Sequence, residues 1–116
     1  MKNLSKYIVI LTAALIYSHA SSAYAEPDII YIPLDNRPVC LGYVQETAQA
    51  AGYQLSIPPA HLLANHHTSG DNSGLWKWLE TNAHKAKAAV ISTDSLNYGG
   101  LVASRRHNFT ERSLKH

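Results

Sequence analysis

One cysteine among 116 residues means that no intrachain disulfide can staple this chain, so a folded unit must be held by its packed core. There is no apolar run near the roughly 20 residues that a membrane-spanning helix needs; the N-terminal run Tyr7–Tyr17 covers 11. Nor is there an excess of one charge. Ten Lys and Arg face eight Asp and Glu, and with Lys2 and Lys6 set aside the remainder is balanced. A nucleic-acid partner needs a basic stripe to neutralise phosphates, and only Arg105-Arg106 with His107 makes a local cluster, so nucleic acid is excluded as a partner. Neither G-x-x-x-x-G-K-[ST] nor G-x-G-x-x-G occurs, and no nucleotide is predicted. Internal repeats and low-complexity segments are missing as well.

What is present begins with an export signature. Lys2 and Lys6 precede the apolar run, and Ser18–Ala25 is small and polar, ending Ala23-Tyr24-Ala25. This pattern is that of a secretory signal peptide over residues 1–25, cleaved after Ala25, with no cysteine at hand for a lipid anchor. The expected organisation is therefore a signal peptide, 1–25, and a partial α/β domain, 26–116. The expected location is periplasmic or extracellular, with no membrane association after cleavage.

Asp28–Leu34 holds the continuous apolar run Ile29-Ile30-Tyr31-Ile32, as in a strand buried on both faces, and Pro33 marks its end. Pro38 fits the first turn of a helix in which Tyr43, Val44, Thr47, Ala48 and Ala51 share a face, closed by Gly52. Tyr53–Ile57 reads as a second strand, stopped by Pro58-Pro59. A loop over 60–72 follows. Ser73 is placed to cap a helix whose Leu75, Trp76, Leu79 and Ala83 align, and Ala88–Thr93 reads as a third strand ending at Asp94. This βαβαβ order predicts an α/β fold with a three-stranded parallel sheet and covering helices. The turn Tyr98-Gly99-Gly100 and the start of a further helix at Thr110 come next, so the unit reads as the truncated start of a larger α/β domain.

Several runs carry a family resemblance: Tyr31-Ile32-Pro33-Leu34-Asp35-Asn36-Arg37-Pro38, Ala51-Gly52-Tyr53, Ile57-Pro58-Pro59 with Leu62-Leu63, Trp78-Leu79, and Ser92–Arg105 with its Asp94-Ser95-Leu96-Asn97-Tyr98-Gly99-Gly100 centre. In order and spacing they resemble the opening of the bacterial domain of unknown function (DUF) 4127 family, from about Ile29 onward. Family members are several times longer, so the resemblance implies that most of the domain lies outside this chain. It implies no particular activity or cofactor.

In parallel sheets, ligands bind beyond the carboxyl ends of the strands. Asp35, His61 and Asp94 each follow a strand end and are expected on one rim. Asp35 and Asp94 are the candidate catalytic pair, since glycoside hydrolysis uses two carboxyl groups roughly 5–9.5 Å apart; the bland alternative is that both only order turns. Arg37 and Arg105 present planar forks to a substrate or pair structurally with the aspartates. Tyr98 offers a phenol beside Gly99 and Gly100, whose backbone lets a ligand approach closely. His61 is placed to act as acid or base. His66-His67 with Asp71 matches no metal-ligand spacing, so no metal site is predicted and that loop reads as solvated. Cys40, in an apolar stretch with no paired histidine, reads as an inert thiol. The preferred functional expectation is a hydrolase-like enzyme on saccharide or cell-wall material. The rivals are a non-catalytic solute- or sugar-binding module and a fragment inactive by itself, which a broad, non-cooperative melt would mark.

Overall fold

The computed structural model describes residues 26–114; the expected signal peptide lies outside them. Strand β1 (Ile29–Ile32) is central, with β2 (Leu55–Ser56) on one side and β3 (Ala88–Ile91) on the other. Both pairings are parallel, with Ile29 opposite Leu55 and Ala88, and Ile32 opposite Ile91. Helix α1 (Gly42–Ala50) links β1 to β2, and α2 (Asn72–Asn82) links β2 to β3. Two short helices, α3 (Thr93–Tyr98) and α4 (Leu101–Arg106), follow. The α/β fold with a three-stranded parallel sheet is therefore as the sequence indicates. β1 lies at its centre because its Ile-Ile-Tyr-Ile run is the most apolar, and a parallel sheet places such a run between neighbours.

The core forms around Ile30 and Ile32, both fully buried, with Leu62, Leu63, Leu75 and Leu96 packed around them. Alternation in β1 sends Ile30 and Ile32 to one face and leaves Ile29 and Tyr31 half-buried, so the strand is not buried on both faces as its apolar run suggests. The half-buried Tyr31 donates its hydroxyl hydrogen to the Cys40 carbonyl. Helix α1 also departs from expectation: none of its residues is buried, and Tyr43 on the expected apolar face is 61% exposed. Leu62 and Leu63, in the segment read as loop, instead supply core through a 3-10 turn at Ala60–Leu62.

Three boundaries shift for local hydrogen-bonding reasons. Asp71, not Ser73, caps α2, its carboxylate accepting the Gly74 N–H at 2.9 Å. β3 ends at Ile91 because the Ser92 hydroxyl accepts the Ser95 N–H and starts α3, which places Asp94 in a helical first turn rather than at a strand end. α1 begins at Gly42, after a turn in which the Arg37 carbonyl accepts from Cys40 and Leu41.

Candidate functional site

Beyond the carboxyl end of the sheet, three chain segments are tied by backbone and buried polar bonds. The Ser95 hydroxyl, almost fully buried, donates to the Pro33 carbonyl at 2.6 Å, with the Leu34 carbonyl at 2.9 Å. Asn36 N–H donates to the Ala64 carbonyl at 2.9 Å, and Gly70 N–H to the Gly99 carbonyl at 2.8 Å. The Asn72 side-chain amide donates to the Asn97 carbonyl at 3.2 Å. Gly99 closes α3 in the left-handed conformation (φ 79°), and a Cβ there would lie 2.6 Å from the Gly70 oxygen. Gly100 (φ 120°) sits against the Ala64 side chain in the same way. Only glycine meets both demands, backbone sign and close approach.

Asp35 is buried in this rim, 5% exposed. Arg37 engages both of its oxygens: the backbone N–H reaches Oδ1 at 3.0 Å, Nε reaches Oδ2 at 2.8 Å, and an Nη lies 2.7 Å from Oδ2. Burial alone would raise the Asp35 carboxyl, but the Arg37 side chain and backbone N–H, with a further contribution from the Cys40 thiol, outweigh it and hold the group below the ordinary aspartate range. Asp35 is thus a fixed anion at neutral pH. Burial, reinforced by the Asp35 carboxylate, pushes the Cys40 thiol up, so it stays protonated and is a poor nucleophile there.

Next to this pair lies a cavity of about 150 Å³, lined by Asp35, Arg37, Gly99 and Gly100 and by the loop running from Ala64 to Ser69. Leu101, Val102 and Ala103 of α4 form its other wall. A second, larger opening of about 410 Å³ shares Ser69, Val102 and Ala103 with it. Tyr98, His107 and Phe109 line that opening as a shelf of rings, with Tyr98 and His107 centroids 4.3 Å apart.

Of the sequence-predicted site residues, the structure brings Asp35, Arg37, Gly99 and Gly100 together on the smaller cavity and puts Tyr98 on the adjoining one. Asp94 is half-buried in the first turn of α3, its carbonyl accepting from Gly100 N–H, and it lines neither opening. His61 is exposed on the 3-10 turn and Arg105 is exposed on α4; neither lines a cavity, whereas Arg106 lines the larger one. Sequence reasoning passed over Asn65, Thr68 and Ser69, and treated His66-His67 as merely solvated. Exposed these histidines are, with ring centroids 3.6 Å apart, but they border the cavity. The available signal was a run of polar turn formers in the long connection between β2 and α2, at the carboxyl side of the sheet. Among the described residues no three His, Cys, Asp or Glu side chains are grouped to hold a metal ion, and no helix is long and apolar enough to cross a membrane.

Fold and site together define an α/β protein with an anion–guanidinium pair and a small cavity at the carboxyl rim of its parallel sheet. The chain belongs to the family described as protein of unknown function (DUF4127), whose sequence profile matches residues 29–116. No curated protein and no solved structure matches it.

Proposed function

We propose that this chain is an exported protein whose rim cavity receives saccharide or cell-wall material and whose chemistry is hydrolase-like. The observation that carries the reading is the meeting of Asp35 and Arg37, from the end of β1, with Gly99-Gly100, from beyond β3, on one cavity. Residues far apart in sequence that converge beyond strand ends are how α/β folds build ligand sites. Asp35, held ionised with both oxygens engaged by Arg37, suits an anchoring or base role, and the acid in the pair would then be Asp94. Arg37 and Tyr98 would position the substrate, with His61 and Arg105 as outer contacts.

The test is release of reducing ends from cell-wall polysaccharide by the purified protein. Product formation lost in a folded Asp94→Asn variant supports the reading; product formation unchanged in both Asp94→Asn and Asp35→Asn contradicts it. A second reading, a non-catalytic sugar- or solute-binding module, is favoured by the full engagement of Asp35 with Arg37 and by the position of Asp94 away from both openings. Saturable binding without product would single it out.

A further inference from the structure

The side-chain hydrogen-bonding capacity left over in the smaller cavity is weighted towards donors. Among the described residues Asp35 is its one acidic lining residue, and Arg37 already occupies both carboxylate oxygens. Asn65 likewise spends its side-chain oxygen, which accepts the backbone N–H groups of His67 at 2.7 Å and Thr68 at 2.8 Å. What remains includes two groups that only donate, the outer edge of the Arg37 guanidinium, whose side chain is 45% exposed, and the Asn65 amide nitrogen, beside the Thr68 and Ser69 hydroxyls and the His66 and His67 rings, which can donate or accept. The guanidinium is also aimed in advance, because a buried carboxylate fixes its inner edge and leaves a planar fork facing outward.

We infer that this cavity takes the carboxylate of a sugar acid, gripped by the outer edge of Arg37 and by the Asn65–Ser69 loop. The inference rests on the saccharide reading above and narrows its ligand class. An ionised carboxylate is acceptor-only, which suits the Arg37 and Asn65 donors and hydroxyls free to donate, and it is planar, which matches the fork. The Arg37–Asp35 pair is formally neutral, so the grip rests on donor geometry rather than on net charge, and the nearby Asp35 carboxylate repels the two charges of a phosphate monoester more than the one of a carboxylate. The remainder of the ligand would run over Ser69, Val102 and Ala103, shared by the two openings, towards the Tyr98–Phe109 rings.

Calorimetric titration of the full chain with D-glucuronate, D-glucose, L-lactate and inorganic phosphate tests this. Glucuronate is expected to bind saturably and about tenfold or more tighter than glucose, a difference of about 1.4 kcal/mol or more. Arg37→Lys keeps the charge but loses the fork, and is expected to cost about tenfold in glucuronate affinity while leaving glucose affinity little changed. Should that variant lose its cooperative melt, the exposed Thr68→Ala variant decides, with a severalfold loss for glucuronate expected. Glucose binding as tightly as glucuronate overturns the inference and leaves the saccharide reading standing. Lactate binding as tightly as glucuronate overturns the sugar-acid inference together with the saccharide reading, leaving a simple carboxylate as the ligand. Phosphate binding tighter than glucuronate, or no binding by any of the four, overturns the inference.

Discussion

The two ends of β1 each carry an aspartate engaged with a basic side chain, yet they do different things. At the amino end, Asp28 accepts the Gln54 N–H at 3.1 Å and the Lys87 ammonium at 2.9 Å, while its own backbone bonds Gln54 and Lys87 as well. Those partners lie 26 and 59 residues away, so this aspartate sews β1 to the approaches of β2 and β3, and the bonds from Gln54 and then Lys87 hold its carboxyl low. At the carboxyl end, Asp35 pairs with Arg37, two residues on, and among the described residues its side chain joins no distant elements. The rim there is tied instead by Ser95, by Asn36 and by the Gly70–Gly99 contact. Because backbone and a buried hydroxyl do the fastening, the ion pair is free to face a cavity. A long-range pair closes a structure; a local pair can present a charged edge to a ligand.

The contrast can be broken most severely at the strand that joins the two ends. Ile32→Ala empties a fully buried position and is expected to lower unfolding stability by about 2–5 kcal/mol in urea denaturation, disturbing both ends together. A loss well under that range would show that the core is not centred on β1. Gly99→Ala acts on one end alone. The left-handed backbone would cost roughly 1–2 kcal/mol and the Cβ collision with Gly70 would add to it. Loss of ligand affinity is expected with the Gln54–Asp28 end intact, as read by amide exchange.

The aspartates themselves sharpen the comparison. Asp35→Asn removes a buried anion whose bonds to a charged partner are worth roughly 1–3 kcal/mol, while Asp28→Asn, with a largely exposed lysine partner, is expected to shift the melting temperature less. Both carboxyls are held below their unfolded value, so their stabilisation is fully present above the unfolded value near 3.8 and fades as pH falls below it towards the folded one. Each Asn variant should therefore flatten the acid limb of the stability profile. An acid limb unchanged in Asp35→Asn would contradict the assignment of Asp35 as a held anion.

Much of the scaffold was legible because it rests on backbone periodicity and punctuation. The Ile-Ile-Tyr-Ile run, the Pro58-Pro59 stop and the strand–helix alternation led to the parallel sheet and to Asp35 and Arg37 on its rim. Residues near Asp94 were harder, since Ser92 and Ser95 look alike in sequence whether they extend a strand or cap a helix, and the choice lies in where Ser95 finds its buried acceptors on Pro33 and Leu34. The Asn65–Ser69 loop was obscure for the same reason. Its approach to Asp35 depends on Asn36 meeting Ala64 and Gly70 meeting Gly99, contacts between segments that local pattern does not encode. Helix α1 shows the reverse error, an amphipathic pattern with no buried residue.

The central claim is that ligand binding belongs to the carboxyl end of β1 and not to its amino end. Titrating isotope-labelled protein with D-glucuronate and following backbone amide shifts compares the two directly. The amides of Arg37, Thr68 and Gly99 should move and saturate together while those of Gln54 and Lys87 stay fixed; shifts centred on Gln54 and Lys87, or spread evenly over the sheet, would contradict it.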